Sequence, residues 1–151
     1  MQEISVFSMN DGGTLTDLKV FSTFDELERY GVNKLAPIAK SRLGHDSDDF
    51  GELEQLCNDI TYSYCFHVPD GVTLLFITTL IVNGDIKSHH GCQTIEEAKV
   101  YLIENLAHKV GLVPSRDLDH DIAKIKDLLA VYSPTSSFSV MGFKLVGNRW
   151  R

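Results

Sequence analysis

A single α+β domain, residues 1–151, in which a mainly antiparallel sheet packs against four helices, is the fold the sequence predicts. Three observations carry it. The chain has 151 residues, the length of one domain, and its 43% apolar and 23% charged residues are the composition of a globular one. Strand-like runs are divided by short turns rich in Gly, Asn and Asp, the mark of hairpins. Between them stand stretches with apolar residues at helical spacing behind capping side chains.

The elements follow in order. Ile4–Met9 is a strand, Asn10, Asp11, Gly12 and Gly13 are a turn cluster, and Leu15–Phe21 returns with Leu18 and Val20 alternating against polar neighbours. Thr23 and Glu26 form a capping box for a first helix with Phe24, Leu27, Tyr30 and Leu35 on its apolar face. Pro37 predicts an end near Ala36, because a proline drives its predecessor out of helical geometry, and Gly31 marks a weak point. A second helix carries Phe50, Leu53, Leu56, Cys57 and Ile60 on one face. Thr61–Val68 is rich in strand formers, Pro69-Asp70-Gly71 is a turn, and the nearly all-apolar Val72–Val82 reads as the central strand. Asn83-Gly84 is the strongest hairpin signal and returns the chain through Ile86–Cys92.

A second capping box, Thr94 with Glu97, opens a third helix with Ile95, Ala98, Tyr101, Leu102 and Leu106 on its buried face. The fourth helix uses Ile122, Ile125, Leu128, Leu129 and Tyr132 and is stopped by Pro134, and Ser137–Val146 is a last strand before the tail GNRWR. Thr23, Glu26, Tyr30, Leu35 and Ala36 recur 71 residues on as Thr94, Glu97, Tyr101, Leu106 and Ala107. One reading is a repeat of two pseudo-symmetric ββααβ units, 1–71 and 72–151. The other is that two capped amphipathic helices feeding similar cores draw on the same residues.

Charge bounds the function. The net charge of -7 is uneven: residues 1–71 hold 13 acids against 5 bases, residues 72–151 hold 8 against 9. No basic stripe of the kind that neutralises phosphates is present, so direct nucleic-acid binding is not expected. The opening MQEISVFSMN lacks the features of a secretory signal, and no apolar run is long enough to span a membrane. Cys57, Cys65 and Cys92, an odd number at scattered spacings, read as reduced thiols, which with the previous point gives a cytoplasmic expectation.

Several clusters have the residue types of chemistry. His45, Asp46, Asp48 and Asp49, echoed by Asp117, Asp119, His120 and Asp121, have donors for a divalent ion. Asp117, Asp119 and Asp121 match the first, third and fifth positions of a calcium loop, but Ile122 replaces the turn glycine and Leu128 the bidentate Glu. The competing reading is helix capping, since both clusters sit at helix starts, where each acid contributes roughly 0.3–1 kcal/mol against the helix dipole. If the strands from Thr61 to Cys92 form a meander, Cys65, His67, His90 and Cys92 share one face. Cys65 and Cys92 then stand roughly 10 Å apart, too far for one tetrahedral zinc. No nucleophile elbow, phosphate loop or zinc-protease helix occurs.

Recognition is the better-supported class. The second helix carries Asp48, Glu52 and Asp59 with hardly a base to offset them, and the tail sets Trp150 between Arg149 and Arg151, residue types frequent as interface anchors. The expectation is a small acidic cytoplasmic binding protein acting without catalysis or cofactor, an inhibitor or modulator of a partner with a basic surface. Two alternatives stand beside it. One is a metal-assisted hydrolase or nuclease using Asp117, Asp119, His120 and Asp121. The other is a binder of a small ligand or nucleotide at the junction of the two units.

Overall fold

Both faces of the first strand are buried, and the layering follows from that. The computed structural model describes residues 1–151. In β1 (Gln2–Asp11) Ile4 and Val6 point to one side, Ser5 and Phe7 to the other, and all four are buried. A turn at Gly12 and Gly13 leads into β2 (Thr14–Phe21), and β3 (Thr61–Val68) pairs on the other edge of β1, giving an antiparallel sheet of order β2-β1-β3. The second half repeats the plan. β4 (Leu74–Val82) lies between β5 (Asp85–Cys92) and β6 (Ser137–Val146), and Arg149–Trp150 adds a short β7 to β6. Each unit therefore runs strand, strand, helix, helix, strand with the same strand order.

The two sheets face each other. Ile4, Val6, Leu18, Val20 and Val68 from the first meet Leu75, Ile77, Phe143 and Trp150 from the second in one apolar cluster. On the outer side of the first sheet, Phe7 packs under α1 (Phe24–Leu43) and α2 (Phe50–Leu56) with Leu27, Leu35 and Leu53. On the outer side of the second, Leu80 packs under α3 (Ile95–Leu106) and α4 (Leu118–Tyr132) with Leu102, Leu106, Ile125 and Leu129. The order is helices, sheet, sheet, helices. No helix is long and apolar enough to cross a membrane.

The local signals act as their chemistry requires. Thr23 accepts from the Glu26 amide and Thr94 from the Glu97 amide, each closing the first turn of its helix. Asn83 and Gly84 both take positive φ, 53° and 86°, as a two-residue hairpin turn demands.

Three expectations are corrected. The strands form two sheets, and β3 pairs with β1 across a long sequence gap instead of with β4. Pro69-Asp70-Gly71 is thus a crossing between layers.

The first helix does not stop at Ala36. It continues through Pro37 to Leu43 and ends at Gly44 in the left-handed region, whose N–H meets the carbonyls of Ala39 and Lys40. A proline inside a helix costs about 3 kcal/mol. Here Leu35 and Ala39 are fully buried on either side of it, and the carbonyl of Asn33 that it leaves unpaired belongs to an exposed residue.

Gly31, expected as a weak point, is where α1 admits α2. A Cβ there would stand 2.3 Å from Cε1 of Phe50. Gly31→Ala ordinarily gains about 1 kcal/mol in a helix interior. Here the ring must move, which costs about 1–3 kcal/mol, so a net loss of up to about 2 kcal/mol is expected. Urea unfolding checks it; an unchanged or higher midpoint contradicts the packing account.

Candidate functional site

The acidic half of the chain builds an open concavity. Contact of Phe50 with Gly31 sets the start of α2 against the early turns of α1, and Phe24 braces Phe50 edge-on at 6.0 Å between ring centroids. Both helix starts bring acids. Asp25 and Glu28 come from α1, Asp48 and Asp49 from the approach to α2, and together with Arg29 and Phe50 they line a groove of about 790 Å³. Asp49 also caps α2 by accepting from the Gly51 amide at 3.1 Å. Asp25, Glu28 and Asp48 stand in no ion pair, so the groove is negative with an apolar floor.

The other acids expected on this surface are offset. Glu52 bonds His45, and Asp59 meets Arg42 at 3.2 Å. Both pairs are exposed and contribute roughly 0–1 kcal/mol each. The expectation of an acidic face without bases is corrected to this extent, because α1 runs past Pro37 and delivers Arg42 to Asp59.

The tail divides. Arg149 and Arg151 are exposed, whereas Trp150, only 7% exposed, lies in the core between the sheets through the β7 pairing. Trp150 is therefore withdrawn from the surface expected to receive a partner.

The second His/Asp cluster points three ways. Asp117 caps α4 by accepting from the His120 amide at 3.1 Å, and Asp119 meets Lys99 at 2.6 Å. Asp121 is buried and accepts from the Ser115 amide and hydroxyl at 2.9 and 2.8 Å. No three His, Cys, Asp or Glu side chains stand together as a metal site requires. Nor can the two clusters pool, since the starts of α2 and α4 lie on opposite outer layers.

The shared face expected for Cys65, His67, His90 and Cys92 is also corrected. β3 and β5 belong to different sheets. Cys65 pairs with Ser5 on the helix side of the first sheet, its Sγ 3.3 Å from the Ser5 hydroxyl. His90 stacks on Tyr101 at 3.9 Å on the helix side of the second. Cys92 is buried, and desolvation with the nearby Glu97 carboxylate raises its pKa, which disfavours the thiolate a nucleophile needs.

The seam between the sheets is apolar at one end and polar at the other. At the polar end Ser8 Oγ and His89 Nε2 share a 2.7 Å hydrogen bond, and Tyr62 packs edge-on to the imidazole. Asn10 Nδ2 donates to the carbonyls of Gly12 and Gly84, tying together the hairpin tips of the two units. A cavity of about 280 Å³ opens there between Thr14, Thr79, Ser137 and Ser139. Its lining holds no charged side chain. It falls just below the ~300–1,000 Å³ of small-molecule pockets, and nothing in it matches a nucleotide's phosphates.

No protein-family model, curated protein or solved structure matches the chain. Sequence reasoning placed Asp48 on the acidic surface but missed Asp25, Glu28 and Arg29; the only sequence signal for them was their position in the first turns of a capped helix.

Burial lowers the His89 pKa from 6.5 to about 4, so the fold favours neutral imidazole. The contribution is complete above pH 6.5 and is lost as pH falls toward 4, by on the order of 3 kcal/mol. His89→Gln removes this titration and keeps a partner for Ser8. Urea unfolding of both proteins between pH 4 and 7.5 should give a smaller pH slope for the variant; equal slopes would place the imidazole in solvent.

Proposed function

We infer that the chain is a non-catalytic binding protein that recognises a basic segment of another protein through the groove between the starts of α1 and α2. One observation carries the reading: Asp25, Glu28, Asp48 and Asp49 converge on one concavity against the single cation Arg29, over the ring of Phe50. Lysine or arginine side chains entering it meet carboxylates at their heads and apolar surface along their stems. Masking a basic surface in this way makes the chain an inhibitor or modulator of its partner. A net charge of -7 speeds encounter with such a partner, and three free cysteines suit a cytoplasmic setting.

The test uses the immobilised chain and extract of its source cells, at low and at high salt. The native protein should retain a basic partner that salt releases. An Asp25→Lys/Asp48→Lys double variant should retain at least about tenfold less, with an unfolding midpoint lowered only modestly, since both carboxylates are exposed and the stability lost is mainly that of Asp25 against the α1 dipole. Equal retention by the two proteins would reject the groove as the binding surface.

A further inference from the structure

Sheet edges expose unpaired main-chain groups, and proteins ordinarily blunt them with charges, prolines or bulges. Most of the edge strands here follow that rule. β2 carries Asp17 and Lys19, β5 carries Asp85 and Lys87, and β7 carries Arg149, while β6 is covered by the chain end from Lys144 on and its uncharged open stretch, 137–143, is weakened as a strand by Gly142. β3, Thr-Tyr-Ser-Tyr-Cys-Phe-His-Val over eight residues, has no Asp, Glu, Lys, Arg or Pro, and its register with β1 is unbroken.

The ladder shows which groups are free. The Asn10 amide bonds the Ile60 carbonyl, and the Thr61 hydroxyl reaches the Ser8 carbonyl, so the Asn10 and Ser8 positions of β1 turn toward β3. By antiparallel alternation Tyr62, Tyr64 and Phe66 exchange main-chain bonds with β1, whereas Ser63, Cys65 and His67 direct theirs outward. Cys65 and His67 are exposed, and Tyr64 is 45% exposed.

We propose that β3 is a homodimerisation edge: it pairs antiparallel with β3 of a second copy about a two-fold axis at Cys65, joining two three-stranded sheets into one of six strands. Two features select a second copy as occupant. First, the pattern is self-complementary. About Cys65, Ser63 faces His67 of the other copy, and each outward N–H finds an outward C=O. Tyr64 then lies opposite Phe66 of the other copy, an aromatic cross-strand pair formed twice over. Second, two chains of charge -7 repel wherever acids meet, and β3 is an unbroken open edge whose own side chains set no like charges opposite one another. The groove between α1 and α2 plays no part in this pairing.

Cys65 supplies the test. It is the only exposed thiol, Cys57 and Cys92 being 1% and 3% exposed. Sedimentation of the native protein over the micromolar range should show a dimer, and a short bismaleimide should convert it to a covalent dimer. Cys65→Ser should keep the dimer and lose the cross-link. Cys65→Lys, which sets two ammonium groups opposite one another, should weaken association by about a hundredfold or more. A native monomer, a native dimer that the reagent does not link, or a folded Cys65→Lys protein that still dimerises as tightly would each overturn the proposal. Should Cys65→Lys fail to fold, native sedimentation and the cross-link decide the matter.

Discussion

Both central strands are buried on their two faces, and the rest of the structure depends on this. Ile4 and Val6 of β1 and Leu75 and Ile77 of β4 point into the space between the sheets, while Phe7 and Leu80 point outward under helices. Each sheet has helices for one face only. The other must be covered by the opposite sheet, and fully burying each such side chain is worth roughly 1.5–3 kcal/mol. A unit alone would leave its whole inner face in water, so the two halves are bound to each other by the same apolar surface that forms each sheet. Trp150 belongs to this constraint: carried in by the short β7, it fills the seam where β6 reaches the edge of the first sheet.

How much of this was legible depended on the range of the interaction responsible. The threonine caps at Thr23 and Thr94 and the Asn83-Gly84 turn are set within a few residues, and they could be read directly. The nearly all-apolar run of β4 was legible as a central strand because burial on both faces erases alternation. Pairing of β3 with β1 was not, since a turn after β3 favours the next strand locally and only the demand for a second layer overrides it. Every face assignment that relied on the local pairing failed with it, including that of Cys65 with Cys92. Continuation of α1 through Pro37 was hidden for a similar reason: the proline's cost is local, whereas the burial of Ala39 that offsets it depends on the whole helix layer.

The same override shaped the candidate site. Had α1 ended at Ala36, Arg42 and His45 would not reach α2, and Asp59 and Glu52 would remain unpaired acids. The continuous helix delivers both bases and moves the uncompensated negative charge to the other end of the helix pair. There Gly31 removes the Cβ that would hold α2 away, and the acids that favour two helix starts converge. The groove is thus a by-product of two ordinary preferences, acids at helix N-termini and close packing at glycine, acting at one place. Sequence composition recorded the acidity; only tertiary packing decided which acids share a concavity.

Apolar packing between the sheets holds them together but does not fix how far one slides over the other, because dispersion is nearly indifferent to small shifts. Directional bonds are not. Asn10 joins Gly12 of its own hairpin to Gly84 of the other at 2.9 and 2.6 Å, and Ser8 meets His89 at 2.7 Å. At the same end a Cβ on Gly13 would lie 2.8 Å from the backbone of Thr135, so the hairpin tip abuts the chain entering β6. These contacts carry a cost, since the Ser8 hydroxyl, the Asn10 amide and the His89 imidazole are buried and give up hydration to make them. Apolar residues at these sites would bury without that loss, but they would leave the seam free to slip. The polar end therefore trades some stability for a single register, and that register sets the β3 edge of the first sheet over β5 of the second, with the Phe66 ring against Gly91.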